Sequence, residues 1–197
     1  MIDDARWIRL LERTGALQSG HFLLSSGLHS PRYVQCARTL EDPADAAAMG
    51  EALAQRLPHS DIDRVVSPPL GALLIGYEVA RSLRRPFVFP ERTEAGGLSF
   101  RRGLRVQSGE RIAVVEDVIT TGRTTRELIE LLRASGAEVV ALAAIADRSD
   151  VGEIRGLPIV SLVALSIPRY PPDVCPMCAA GVPLVKPGSR PQGEVVG

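Results

Sequence analysis

Apolar positions along this chain follow two periods, and the period switches several times. Residues 4–13, DARWIRLLER, set Trp7, Ile8 and Leu11 on one side of a short helix. Two short apolar runs follow within SGHFLLSSGLHSPRYVQC, separated by Gly, Ser and Pro, and predict a strand, a turn and a strand. Asp42-Pro43 opens a helix to about Leu57, since proline is at home in a first helical turn. Strand and helix patterns then alternate. IDRVVS (62–67), PFVFP (86–90), ERIAVVEDV (110–118), EVVALAAIAD (138–147) and LPIVSLVAL (157–165) read as strands. Residues 70–83 and 124–135 read as helices. Strands apolar at both alternating positions are those buried on both faces of a parallel sheet. The expected class is α/β, a parallel sheet flanked by helices and built from βαβ units.

Two stretches fall outside this alternation. Residues 91–109, ERTEAGGLSFRRGLRVQSG, carry a glycine pair, several arginines and little apolar periodicity. They are either a surface hairpin or a mobile loop of a functional site. From Pro168 the chain is rich in Pro and Gly and is expected to be irregular.

The chemistry concentrates at VVEDVITTGRTT, residues 114–125. Val114 and Val115 end a buried strand, which puts Glu116 and Asp117 at its carboxyl end, the edge where open parallel sheets bind ligands. Thr124 and Glu127 have capping-box spacing, Leu128, Leu131 and Leu132 give the helix its apolar face, and Gly136 ends it. The threonine cluster therefore sits at a helix N-terminus. Free backbone N–H groups and the helix dipole favour an anion there, and Gly122 lets the backbone turn closely. That is a phosphate cradle. The two acids cannot bind phosphate; they need hydroxyl donors or a metal ion. A phosphate beside a ribose satisfies both halves, and a plain βα turn is the competing reading. No G-x-x-x-x-G-K-[ST] and no helix-opening G-x-G-x-x-G occurs.

Composition narrows the class without naming it. The 197 residues suffice for one domain with a sizeable core, and 45% are apolar. Net charge is zero, so a global basic field for nucleic acid is absent. Lys186 is the single lysine. The start lacks the apolar region of a signal peptide and no run approaches a membrane span, so a cytoplasmic protein with no membrane partner is expected. Cys36, Cys175 and Cys178 are too few for a disulfide scaffold. Cys175 and Cys178 form one C-x-x-C, which with a distant Cys36 does not complete four zinc ligands within a chain. No side-chain metal site is assigned, and the thiols are expected to be free.

The stretch VVEDVITTGRTT resembles the phosphoribosyl-pyrophosphate (PRPP) motif of type I phosphoribosyltransferases. GHFLLSSGLHSPRYVQC, SPPLGALLIGYEVARSL, ERTEAGGLSFRRGL, ADRSD and PLVKPGSR are similar, in order, to bacterial orotate phosphoribosyltransferases. The likeness runs from about Gly15 to Arg190. It implies one phosphoribosyltransferase domain over residues 1–197, with a small hood from about 1–40 and an irregular tail from about 168–197. It also implies transfer of the phosphoribosyl group from PRPP to orotate, with Mg²⁺ brought mainly by PRPP, in a homodimer.

By the same resemblance, Glu116 and Asp117 hold the ribose hydroxyls, and Val118, Ile119, Thr120, Thr121, Gly122, Arg123 and Thr124 complete the PRPP site. Residues 67–72, with Pro69 and Gly71, form the pyrophosphate loop, and Arg92 joins Glu116 and Asp117 as a catalytic candidate. Orotate falls to Arg148, Thr120, Ser25 and Ser26. A guanidinium can grip the orotate carboxylate in a fork. Many relatives carry lysine where Ser25 stands, and a lysine-rich, histidine-bearing loop where this chain offers Arg92, Arg101 and Arg102. Arginine can clamp pyrophosphate but is a poor proton donor at neutral pH. His21 and His29 receive no catalytic role. A purine phosphoribosyltransferase and a PRPP-sensing regulator remain alternatives.

Overall fold

The structure is a computed structural model and describes residues 4–24, 26–58 and 61–187. The chain opens with helix α1 (Asp4–Arg13), whose Trp7 and Leu11 are buried as the pattern predicts. Strands β1 (Leu17–Leu23) and β2 (His29–Val34) pair antiparallel as the expected hairpin. A short α2 (Ala37–Leu40) precedes α3 (Pro43–Gln55). Asp42 caps α3 by accepting a 2.8 Å bond from the Ala44 N–H, and Pro43 needs no partner in the first turn.

Next come β3 (Arg64–Val66), α4 (Leu73–Leu83), β4 (Phe87–Val88), and a small hairpin of β5 (Glu91–Arg92) with β6 (Leu98–Ser99). Then follow β7 (Arg111–Ile119), α5 (Arg123–Ala134), β8 (Glu138–Asp147), β9 (Glu153–Ile154) and β10 (Leu157–Ala164). A 3₁₀ turn at Pro172–Val174 and a one-turn α6 (Pro176–Ala179) interrupt an otherwise irregular tail.

Strand order in the main sheet is β4-β3-β7-β8-β10-β9, with every pair parallel except β10-β9. The expected α/β class is therefore observed. Strand β7 is central, and its alternate side chains go to opposite sides: Ala113 and Val115 join a core with α1, α3 and α4, while Ile112 and Val114 join one with α5. Both faces are dry, so a run without polar alternation reads as one strand.

Within segment 91–109, β5 and β6 form a short antiparallel hairpin. Its return arm packs Val106 into the α5-side core, with Leu98, Phe100 and Leu104 partly buried beside it.

The hood and the tail are tied together. Leu23 N–H donates to the Val185 carbonyl and Val185 N–H to that of His21, each at 2.8 Å. His29 and Tyr170 exchange both backbone bonds. One expectation needs correction here. The C-x-x-C pair does have partners within the chain, because His21 and His29, both buried, stand against Cys175 and Cys178. The C-x-x-C spacing points to further cysteines, whereas the side chains that meet the pair are histidines of the distant hood.

Candidate active site

Parallel strands bring all their following loops to one edge. Pairing of Val66 with Val114, Val114 with Leu142, and Ile119 with Asp147 fixes the relative heights. The acids lie at the carboxyl end of the strand, as the sequence predicts. Strand β7 runs on to Ile119 beside β8, whereas its pairing with β3 stops at Val114. Glu116 and Asp117 thus rise above the end of β3, and residues 67–72 fold over that step. Gly71 lies so close that a Cβ there would sit 2.4 Å from Asp117 Oδ2. The loop carrying Pro69 and Gly71 is thereby packed against the acid pair, with a cis peptide between Pro69 and Leu70.

The turn after β7 differs in one detail from its expected form. Gly122, at φ +67°, is the N-terminal flanking residue of α5, and no side chain caps the helix. The Thr124–Glu127 capping box does not form, because the helix starts at Arg123 and Thr124 already lies within it; Glu127 is ion-paired with Arg92 at 2.7 Å instead. The Arg123 N–H makes only a long 3.4 Å bond to the Thr121 hydroxyl, and Gly122 offers no side chain to cap the amides that follow, as suits an anion site. Glu116 and Val118–Thr125 line a small cavity of about 60 Å³. Thr120, Thr121 and Arg123 are exposed at its rim.

The acids are held under electrostatic tension. Glu116 is buried and accepts a 3.1 Å bond from the Thr125 hydroxyl. Burial, and then the charge of Asp117, push its carboxyl up to about 8 against the opposing pull of Thr125. Burial also raises Asp117, whose Oδ1 accepts from the Val118 N–H at 2.8 Å. Hydroxyl donors or a cation at this spot would relieve both groups.

A pH dependence follows. The folded value of Glu116 lies above its ordinary 4.5. Its contribution to stability is complete below that value and is lost as pH rises toward the folded one. Thermal scans of ligand-free protein should show Tm falling between about pH 5 and about pH 8, and falling less in Glu116→Gln. Parallel curves for the two proteins would remove Glu116 as the source.

Arg148 follows β8 directly, and its N–H donates to the Ile119 carbonyl at 2.8 Å. The orotate candidate thus starts beside Thr120. Its side chain is buried, and its Nε has no hydrogen-bond partner. Ser67 Oγ is likewise buried without a partner. Ser67 Oγ faces Gly76 of α4, whereas Arg148 Nε lies at the sheet edge, where a ligand would satisfy it. Burial, then Arg169, lowers the Arg148 guanidinium, while Tyr33 acts the other way. Tyr33, on β2, is itself raised by burial, with Arg148 and Asp117 as its opposing charged neighbours. The Tyr33 hydroxyl itself donates to Gln35 Oε1 at 3.4 Å. The Cys36 thiol donates to the Asp117 carbonyl at 3.8 Å.

The comparisons fit this geometry. Residues 37–158 match the phosphoribosyl transferase domain family. An orotate phosphoribosyltransferase of Thermotoga maritima is 50% identical over 92% of this chain and 96% of its own length. One from Caldicellulosiruptor bescii is 46% identical over 93% and 96%. The crystal structure of the Aeropyrum pernix orotate phosphoribosyltransferase superposes with a TM-score of 0.68 at 30% identity, covering 80% of this chain and 92% of that one. The chain belongs to the orotate phosphoribosyltransferases.

Not every expected site residue of this family member gathers in the cleft. Glu116, Asp117, Val118–Thr124, Pro69, Gly71 and Arg148 share the carboxyl edge. Arg92 does not join the acid pair; besides Glu127, it donates to the Gly96 carbonyl at 2.9 Å. Ser26 is exposed in the β1–β2 turn, its hydroxyl accepting from the Leu28 N–H at 3.4 Å. Ser25 lies outside the described residues, as do residues 188–197 of the expected tail. The sequence reading missed Tyr33 and Thr125. Thr125 was legible as the last threonine of TTGRTT; Tyr33 sits in the quoted hood segment, but nothing local marks it.

Proposed function

We propose that this chain transfers the phosphoribosyl group of PRPP to orotate, giving orotidine 5′-monophosphate and pyrophosphate on the route to UMP. The bond between the anomeric carbon and pyrophosphate breaks, and pyrophosphate leaves with the electron pair. A ring nitrogen of orotate supplies the pair for the new bond and loses its proton. Positive charge builds on the ribose and negative charge on the leaving group, so positioning and electrostatics dominate. Glu116 and Asp117 accept from the ribose hydroxyls, and residues 118–124 wrap the 5-phosphate with amides and hydroxyls. Pro69 and Gly71 bring the pyrophosphate loop against Asp117, and Arg92 serves the pyrophosphate when its hairpin swings from Glu127. Mg²⁺, bound with PRPP, supplies charge neutralisation at the pyrophosphate. The buried acid pair suits such a group, since its own charges are penalised without a cation or donors nearby.

The observation that carries the choice of base is Arg148. A buried guanidinium with an unpartnered Nε at the sheet edge that carries the acid pair fits a planar carboxylate, which orotate has and purines lack. Thr120 and the serines at positions 25 and 26 are assigned to the same substrate. Orotate absorbance should fall when the protein is mixed with Mg²⁺, PRPP and orotate. Turnover with adenine or hypoxanthine alone, or PRPP binding without turnover, would replace this reading with a purine enzyme or a sensor. Arg148→Ala should raise the orotate KM by about tenfold to a hundredfold, the loss of a charge-assisted pair, with little change for PRPP. Equal shifts for both substrates would contradict the assignment.

The same proposal includes one domain over 1–197, a cytoplasmic setting and a homodimer. The three cysteines are unpaired, as in a reducing compartment. Among the described residues no helix is long and apolar enough to cross a membrane. Leu70, Leu74 and Tyr77 expose an apolar face beside the pyrophosphate loop, which a second copy would cover. Sedimentation as a monomer at micromolar concentration would exclude the dimer.

A further inference from the structure

We propose that His21, His29, Cys175 and Cys178 form a structural zinc site that fastens the hood to the C-terminal tail. One ligand atom from each of the four lies within 4.8 Å of the others. The nitrogen-to-sulfur distances are 3.6 Å (His21 Nε2 to Cys175 Sγ), 3.7 Å (His21 Nε2 to Cys178 Sγ) and 3.3 Å (His29 Nδ1 to Cys178 Sγ). A tetrahedron built on ordinary Zn–N and Zn–S bond lengths has edges of about 3.3–3.8 Å. The two ring nitrogens are closer, at 2.8 Å, and would part slightly around an ion. Two imidazoles and two thiolates in tetrahedral array select zinc among the common divalent ions. Two thiolates also neutralise its charge, which matters because three of the four ligands are buried.

The ligands are oriented from outside the cluster. His21 Nδ1–H donates to the Val182 carbonyl at 2.8 Å, which leaves the Nε2 lone pair facing the thiols. Cys175 immediately precedes α6 and Cys178 lies within it, so one helical turn presents both sulfurs. The tail also needs such a tie. Helix α6 has no buried residue, and Val174, Val182 and Val185 are largely exposed. Apolar burial supplies little there, so a metal cross-link to the hood would contribute much of what holds the segment. Binding would release the two thiol protons to solvent.

Protein purified under reducing conditions without chelator should carry about one zinc per chain by elemental mass spectrometry, the stoichiometry of one four-ligand site. Co²⁺ added to the metal-stripped wild-type chain should give the visible and thiolate charge-transfer bands of a tetrahedral N₂S₂ site. Cys175→Ser and Cys178→Ser should each lose at least about tenfold in zinc content, while Cys36→Ser retains it. The Co²⁺ spectrum needs no variant, so a misfolded mutant does not leave the question open. Less than about one-tenth of an ion per chain together with an octahedral Co²⁺ spectrum would overturn the site. So would a Cys175–Cys178 disulfide in the purified chain. None of these readouts depends on which base the enzyme uses.

Discussion

Replacing Asp117 with asparagine is expected to lower kcat/KM by about tenfold to a thousandfold, the range seen when one preorganised polar contact at a developing charge is removed. The substitution is nearly isosteric, and an amide oxygen can still accept the Val118 N–H bond that Asp117 Oδ1 accepts at 2.8 Å. What disappears is the negative charge beside Glu116 and Gly71. In the ligand-free protein that charge is a burden, because burial already pushes the Asp117 carboxyl up and its charge pushes Glu116 up further. Activity should therefore fall while Tm holds or rises. A residue kept only for packing would show the reverse, a lower Tm with kinetics intact, and that pair of results would take Asp117 out of the site. The same reasoning explains why two acids stand on a buried strand. Their desolvation is unfavourable in the empty protein and would be relieved by the ligand proposed to bind them, so that affinity is gained where stability is given up.

Local chemistry was legible; long-range encounters were not. The strand of 138–147 is recovered at both ends because β8 is apolar on both sides and bounded by Gly136 and Arg148. The acid pair, the threonine turn and Arg148 could be placed together because each lies at or just after the carboxyl end of a readable strand, and parallel strands send such positions to one edge. The errors have physical causes. Helix α4 begins at Leu73, not Leu70, because residues 67–72 fold against Asp117. The capping box at Thr124 fails because α5 starts earlier, at Arg123 after Gly122, and Glu127 pairs with Arg92, which is 35 residues away. His21 and Cys178 are 157 residues apart, and the strand-like bonding of Tyr170 and Val185 to the hood brings them together. Spacing rules for metal sites see the C-x-x-C half; they are blind to ligands on a distant hairpin.

Gly122→Ala should damage both stability and PRPP use, and the two effects can be separated. At φ +67° any side chain incurs the left-handed penalty of about 1–2 kcal/mol. For a chain of this size that corresponds to a Tm drop of about 2–8 °C. A Cβ there would also stand 2.5 Å from Ile154 Cδ1, and Ile154 is buried on β9. The turn would have to shift outward, and its amides are the ones assigned to the 5-phosphate. The KM for PRPP should rise by about tenfold or more, as expected when hydrogen bonds to a charged group lose their geometry, with the orotate KM much less affected. Gly156→Ala is the matched control. Gly156 has φ +80°, and nothing lies within 4 Å of where its methyl group would stand, so it shares the backbone penalty without the crowding. It should lose a similar amount of stability and keep its PRPP kinetics. If the two variants showed the same PRPP KM, the turn after β7 would be an ordinary strand-to-helix connection and the phosphate would have to bind elsewhere.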